Sequence, residues 1–237
     1  MRQLQMSAID KTILITGANS GVGYAMCEHF LDYGYNVIGV SRSTNKLEKL
    51  NHEKFSFYKL DICEKDDIIK TVNQIVATET VDVLINNAAV FESKSLVEQS
   101  YDSMSAMIDT NLKGTIMMSK AVLPSMLSRG CGKIINISSV SGCRGILNQA
   151  VYSATKHALA GFAESLNYEL IPKGLQMVNI CPGGINTELW NQDNPYGGNK
   201  SRLLKPEDIA KTAHYIVDSP DRIIFKNLIM FPSNEIH

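Results

Sequence analysis

Short apolar runs alternate with amphipathic stretches along the whole chain. Residues 11–16 (Lys-Thr-Ile-Leu-Ile-Thr) are apolar up to Gly17, which predicts a strand buried on both faces. A helical pattern follows (Ala25, Met26, Phe30, Leu31) and stops at Gly34. Residues 36–41 predict a second strand, 46–50 a short helix, 55–60 a third strand, 68–76 a helix and 81–86 a fourth strand. A long helical stretch over 101–127 carries Met104, Met107, Ile108, Leu112, Ile116, Met117 and Leu123 on its apolar side, interrupted at Asn111 and Gly114. Residues 133–137 predict a fifth strand and 140–149 a loop. The apolar spacing of Ala154, Ala158, Leu159, Phe162, Ala163 and Leu166 predicts a helix over 152–170. A sixth strand (175–180), a turn (182–187), a helix opening at Pro206 (Ile209, Ala210, Ala213, Ile216, Val217) and a seventh strand (227–231) complete the pattern. Residues 188–205 lose all periodicity and contain the Pro195-Tyr-Gly-Gly cluster, which predicts a mobile loop. Strands alternate with helices and no linker intervenes. The expectation is one doubly wound α/β domain spanning 1–237, its seven-stranded parallel sheet flanked by helices on both faces.

Composition narrows the partners. The 237 residues are 44% hydrophobic and 20% charged, with a formal net charge of -1. That offers no field for nucleic acid or an anionic membrane. No run approaches the ~20 apolar residues of a membrane span, and the first residues lack the apolar core of a signal peptide, so a cytoplasmic location is expected. The five cysteines (Cys27, Cys63, Cys131, Cys143, Cys181) are scattered and never in Cys-x-x-Cys spacing. They imply neither a disulfide framework nor a zinc site and are expected to be buried small hydrophobes.

Several stretches carry chemistry. Thr16-Gly17-Ala18-Asn19-Ser20-Gly21-Val22-Gly23 joins a strand to a helix. Gly17 permits the tight turn, and Gly21 and Gly23 let backbone N–H groups at a helix N-terminus approach a pyrophosphate. Tyr152 and Lys156 fall one turn apart on one helix face, where an ammonium is expected to favour the phenolate and make the tyrosine an acid near neutral pH. Asn86-Asn87-Ala88-Ala89 ends a strand in small residues, leaving room for a flat ligand at the strand's carboxyl end. Asn111 interrupts its helix either as a kink whose freed carbonyl holds water or as a solvated residue. The end of the second strand bears uncharged Ser41 and then Arg42. A carboxylate there would favour NAD, whereas a guanidinium can pair with a 2′-phosphate. Ser20 brings no positive charge to the glycine turn, so Arg42 must provide most of the discrimination toward NADP(H), with NAD(H) less favoured.

These residues together resemble the short-chain dehydrogenase/reductase family over nearly the whole chain. The resemblance places a catalytic tetrad at Asn111, Ser139, Tyr152 and Lys156, with Ser139 chosen over Ser138 by its spacing to the tyrosine. It places the cofactor against Gly17, Asn19, Ser20, Gly21, Val22, Gly23, Ser41, Arg42, Asp61, Ile62, Asn87, Ala88, Ala89, Tyr152, Lys156, Pro182, Gly183, Ile185 and Thr187. Ala89 stands where the family usually has glycine. The implied activity is hydride transfer between NADP(H) and a carbonyl or secondary alcohol, without a metal. Ser139 would donate to the substrate oxygen, Tyr152 would pass the proton, Lys156 would hold the nicotinamide ribose, and Asn111 would hold water. The implied assembly is a homodimer or homotetramer through the helices at 101 and 152. Leu189, Trp190 and Tyr196 are expected to line the substrate pocket. Two alternatives stand beside this reading. One is a 3-oxoacyl-carrier-protein reductase, with Arg129 and Lys173 as basic residues for an acidic carrier, although the chain lacks that subfamily's glycine-rich close. The other is a non-catalytic dinucleotide-sensing regulator, a class that commonly loses the tyrosine or lysine kept here.

Overall fold

The structure is a computed structural model that describes residues 11–188 and 202–233. Seven parallel strands form one sheet in the order β3-β2-β1-β4-β5-β6-β7. They are β1 (Thr12–Thr16), β2 (Asn36–Ser41), β3 (Phe55–Lys59), β4 (Val83–Asn86), β5 (Gly132–Ile137), β6 (Leu175–Pro182) and β7 (Asn227–Met230). Helices α1 (Gly21–Asp32), α2 (Lys65–Thr78), α3 (Tyr101–Ile108), α4 (Thr115–Arg129), α5 (Ala150–Leu170) and α6 (Pro206–Asp218) complete the described regular structure, with short 3₁₀ turns between them. The 46–50 helix is only a 3₁₀ turn, Leu47–Lys49.

The apolar runs are continuous because both faces of the sheet are covered. Ile13 and Ile15 of β1 join the core beneath α1 and α6, while Leu14 between them joins the core beneath α2, α4 and α5. The same alternation separates Val37 from Ile38 on β2 and Ile135 from Ile134 on β5, as strand geometry requires.

A line of amides crosses this apolar sheet. Asn86 donates to Asn136 at 2.9 Å, Asn136 to Asn179 at 2.9 Å, and Asn179 to Asn227 at 2.9 Å. Each pair is in register on neighbouring strands. The line begins against α4, where Asn86 also donates to Ser119.

The return from the expected mobile loop is fixed, contrary to the sequence expectation for 202–205. Leu203 is buried, the Leu204 amide donates to the Gly184 carbonyl at 3.0 Å, and Asn186 donates to Leu204 at 2.8 Å. Backbone pairing and one buried leucine suffice here, and neither has a periodic signature. Leu189, Trp190 and Tyr196 lie outside the described residues.

The strand order reverses between β1 and β4, since β2 and β3 lie on one side and β5 to β7 on the other. In an open parallel sheet a ligand crevice forms at that reversal, outside the carboxyl ends of the strands.

Candidate active site

A cleft of about 320 Å³ opens at this position. Its floor is the turn from β1 into α1. Gly17 has φ +64° and Gly21 φ +51°, values that favour glycine. A Cβ on Gly17 would lie 2.8 Å from the Ala88 backbone, so the turn sits directly against the end of β4. Thr16 and Asn87 fasten the two together. The Thr16 hydroxyl accepts from the amides of Asn87 (3.0 Å) and Ala88 (3.1 Å), and the Asn87 side chain donates to the carbonyls of Thr16 (3.0 Å) and Gly17 (3.2 Å). No side chain caps α1 and no acid lies in its first turn. Its N-terminal amides and the positive end of its dipole are therefore available to an anion in the cleft.

Asn19 has a second, positioning job. Its oxygen accepts from the amides of Lys46 (2.9 Å) and Leu47 (3.3 Å), and its nitrogen donates to Ser43 (3.2 Å) and Asn45 (2.8 Å). One side chain thus holds the segment after β2, which brings Ser41 and exposed Arg42 to the cleft wall. Across from it, Asp61 and Ile62 follow β3, with Asp61 accepting from the Cys63 amide at 2.9 Å.

The other end of the cleft is built from β5, α5 and β6. Tyr152 and Lys156 line it, yet are only 6% and 2% exposed. The Lys156 ammonium donates to the Ile137 carbonyl at 2.9 Å and lies 5.6 Å from the Tyr152 ring centroid. Ser139 lines the cleft with its hydroxyl within hydrogen-bonding reach of the phenol. The same hydroxyl accepts from the Ser141 amide at 3.0 Å. Phe91 packs edge-on against the Tyr152 ring, with centroids 4.8 Å apart.

The electrostatics differ from the expectation that Lys156 holds the phenol down. Burial pushes the Tyr152 phenol up to about 12, opposed by the Ser139 hydroxyl. Burial also lowers the Lys156 ammonium to about 8. Loss of solvation at this depth sets the direction of both shifts, and the ammonium is directed at the Ile137 carbonyl.

Asn111 and Gly23 are the two predicted site residues that do not line the cleft. Asn111 is buried in a π-helical turn, Asp109–Gly114, between α3 and α4. It is therefore not a solvated helix residue. Its side chain accepts from the Val90 amide (2.8 Å), donates to the Val90 carbonyl (2.9 Å) and reaches Thr155 (3.3 Å). The Thr115 hydroxyl donates to its carbonyl at 3.0 Å, so that carbonyl already has one donor. Asn111 thereby ties the segment after β4 to α5. Gly23 stands behind Gly17 and is tested below. The remaining predicted residues line the cleft: Gly17, Asn19, Ser20, Gly21, Val22, Ser41, Arg42, Asp61, Ile62, Asn87, Ala88, Ala89, Ser139, Tyr152, Lys156, Pro182, Gly183, Ile185 and Thr187. Sequence reasoning missed Val40, Ser43, Leu60, Val90, Thr110, Ile137 and Glu188, and set aside Ser138, all of which also line it. Ser43 and Val90 each follow a strand's carboxyl end, a signal that could have marked them.

Residues 11–196 match the short chain dehydrogenase family. The chain belongs to it. An uncharacterized oxidoreductase of Staphylococcus saprophyticus is 31% identical over 231 residues, covering 94% of this chain and 97% of the relative. Among solved structures, the closed form of a serine dehydrogenase complexed with NADP+ is 27% identical with a TM-score of 0.89, covering 95% of this chain and 96% of that one. A 3-ketoacyl-(acyl-carrier-protein) reductase from Brucella melitensis complexed with NADH is 26% identical with a TM-score of 0.87, covering 97% and 100%. This short chain dehydrogenase is thus an oxidoreductase with a Rossmann-like parallel sheet. No helix among its described residues is long and apolar enough to cross a membrane.

Proposed function

We propose that the protein is an NADP(H)-dependent oxidoreductase acting on a small carbonyl or secondary-alcohol substrate, the whole chain serving as one dinucleotide-binding domain. The observation that carries this reading is the buried Tyr152 phenol, one turn from Lys156 and beside Ser139, opening on the same cleft as the glycine turn. The cleft suits a dinucleotide. Gly17 and Gly23 keep the turn pressed close, since a Cβ on Gly17 would lie 2.8 Å from the Ala88 backbone and one on Gly23 2.3 Å from the Gly17 carbonyl oxygen; the α1 amides face an anion site, and Arg42 supplies a cation for a 2′-phosphate. Asp61 and Ile62 would hold the adenine, Asn87 to Ala89 would flank the nicotinamide, Lys156 would bind its ribose, and the segment from Pro182 to Thr187 would hold the carboxamide. When bound, the nicotinamide supplies or accepts hydride.

The protein's own part concerns the proton. With its pKa near 12, the Tyr152 phenol is protonated at neutral pH and so able to give a proton to a carbonyl oxygen. The Ser139 hydroxyl donates to that same oxygen as negative charge builds on it. Lys156, largely charged at neutral pH with a pKa near 8, stabilises the phenolate left behind. Phe91, edge-on to the phenol, walls the position of the substrate.

The similarity to a 3-ketoacyl-carrier-protein reductase keeps that substrate class in view, but Arg129 is spent within the chain. Its guanidinium donates to the Val81 carbonyl at 2.6 Å and to Ser125 at 2.7 Å, and lies 3.8 Å from Asp82. We further propose that the helical stretch from Tyr101, α3 and α4, and the helix of Tyr152, α5, pair with a second copy in a dimer or tetramer; a single-copy mass by light scattering at micromolar concentration refutes that. The function is tested by following NADPH oxidation over a panel of carbonyl compounds with the wild type and Tyr152→Phe. At least one compound should turn over, and the variant should lose turnover about a hundredfold or more while still binding NADPH. Comparable turnover by the variant on that compound overturns the mechanism.

A further inference from the structure

The five cysteines are not all buried hydrophobes, since Cys63 and Cys131 are half-buried and Cys143 is exposed. A connected line of titratable side chains lies elsewhere, away from the cleft, where α1 packs on α6. His29 on α1 directs Nε2 at Nδ1 of His214 on α6, 2.9 Å away. His214 directs its other ring nitrogen at the Asp218 carboxylate, 3.1 Å away. The Tyr35 hydroxyl donates to the second oxygen of that carboxylate, and the Lys11 ammonium lies 3.9 Å from it. Phe30, Tyr33 and Tyr35 surround the His214 ring, with centroids 5.7, 4.4 and 5.5 Å away. None of these residues lines the cleft.

The hydrogens along this line follow from its ends. A carboxylate only accepts, so neutral His214 carries its hydrogen on Nε2 and presents a lone pair at Nδ1, and His29 must donate from Nε2. One added proton leaves the line whole, because whichever ring becomes the imidazolium still donates across the 2.9 Å gap to the lone pair of the other. A second added proton does not. Both facing nitrogens then carry hydrogen with no acceptor between them, and two positive charges meet in a half-buried joint. The surrounding charges are mixed. Glu28, Asp32, His52 and Glu207 line a cavity of about 440 Å³ together with His29, while Lys11 and Lys211 bring positive charge. Burial and then His214 hold His29 below the ordinary histidine range, with Asp32 opposing them and Lys211 adding to them. Burial and Asp218 push the Tyr35 phenol up, so it stays a donor throughout.

We propose that His29 and His214 form a proton-operated latch between α1 and α6, closed while the pair holds at most one added proton and released when both rings are imidazolium. The unfolded chain takes up histidine protons near pH 6.5, whereas the closed latch refuses its second proton until lower pH. The folded state therefore binds fewer protons in that window. Stability from the latch is fully present above about pH 6.5 and is lost as pH falls below it. Each withheld proton costs about tenfold in the folding equilibrium per pH unit. The helix that carries His29 begins at the glycine turn, where its uncapped amides face the cleft. Release at the His29 end loosens the element that presents those amides, so acid weakens the hold on an anionic cofactor. That last consequence rests on the function proposed above; the latch and its effect on stability do not.

The test compares the full chain with His29→Gln, whose side-chain amide keeps a donor toward His214 but takes up no proton. Between about pH 7.5 and 5.5 the wild type should lose about tenfold more than the variant in its folding equilibrium, read by urea unfolding. Hydrogen exchange over residues 22–32 and 207–218 should rise with acid in the wild type and hold steady in the variant. Nitrogen-15 spectra of the wild-type histidines should show the two rings titrating in separate steps, the second below about pH 6.5. NADPH affinity should fall with acid more steeply in the wild type than in the variant. Parallel unfolding profiles overturn the proposal, as do two rings that both titrate above about pH 6.5, or an acid-induced rise in exchange shared equally by α2 and α4. If the variant does not fold, the wild-type spectra and exchange decide alone. Equal pH dependence of NADPH binding in the two proteins overturns the link to the cleft. If NADPH binds at no pH, the proposed function fails, while unfolding, exchange and spectra still decide the latch.

Discussion

Gly23→Ala should damage both the fold and the cofactor site, and the structure allows the size of the effect to be worked out. A Cβ at Gly23 would lie 2.3 Å from the Gly17 carbonyl oxygen and 2.6 Å from the Asn87 side-chain nitrogen. A comfortable C···O contact is about 3.3 Å, so the Gly17 carbonyl would have to retreat by about 1 Å. It has nowhere to go. It accepts from Asn87 at 3.2 Å, and Gly17 itself abuts the Ala88 backbone, where an added Cβ would come within 2.8 Å. Overpacking of about 1–3 kcal/mol adds to about 1 kcal/mol for a strained or broken Asn87 hydrogen bond. The expected loss is therefore about 2–4 kcal/mol, or a fall in melting temperature of about 5–15 °C for a chain of this size. Displaced amides at the turn should weaken NADPH binding by about ten- to a hundredfold. Gly161→Ala is the matching control. Gly161 lies within α5, with nothing within 4 Å of an added Cβ, so helix propensity alone should stabilise by up to about 1 kcal/mol. Thermal melts and fluorescence titration with NADPH check both variants. A Gly23→Ala protein that melts with the wild type and binds NADPH within twofold of it would refute the packing argument.

Two further predictions concern charge in the cleft. Arg42→Ala should shift the NADP(H)-to-NAD(H) preference about tenfold toward NAD(H), the worth of one exposed charge-assisted pair to phosphate; a wild type that favours NAD(H), or an unchanged ratio, overturns the reading of Ser41 and Arg42. Lys156 is charged below its pKa of about 8 and neutral above it, so kcat/KM for NADPH, which reports the unliganded enzyme, should fall as pH rises through about 8. Lys156→Arg should remove that limb, and a profile flat from pH 7 to 9.5 in the wild type would show that the ammonium is not needed.

The architecture was legible because it depends on patterns the sequence displays directly. The runs around Ile13, Val37, Leu84, Ile134 and Val178 read as strands, and each lies in the sheet. The glycine turn, Tyr152 and Lys156 were legible because their spacing is their geometry. What escaped depends on contacts between distant segments. Asn19 looked like part of a phosphate loop, but its amide is committed to residues 43–47. Asn111 left two readings open, and the burial that decides against a solvated side chain comes from Val90 and Thr155, 21 and 44 residues away. The titration of Tyr152 could not be read from its neighbour four residues on, because burial by the rest of the fold is the larger cause of its shift and the Ser139 hydroxyl the other.

The asparagines that cross the sheet bear on how the chain finds one alignment among many. Strands made of valine, isoleucine and leucine are nearly indifferent to sliding by two residues, since such a slip keeps every side chain on its own face. The contacts from Asn86 to Asn136, Asn179 and Asn227 are not indifferent, because each amide meets its partner only at one offset. A slip of β5 against its neighbours would strand amides in an apolar interior, each at about 1–3 kcal/mol. Two broken pairs would thus remove a large share of the ~5–15 kcal/mol that typically separates a folded domain from its unfolded chain. Misaligned sheets would consequently be short-lived, and replacing Asn136 with a valine of ordinary strand propensity should leave a chain that still collapses but assembles its central strands with more errors.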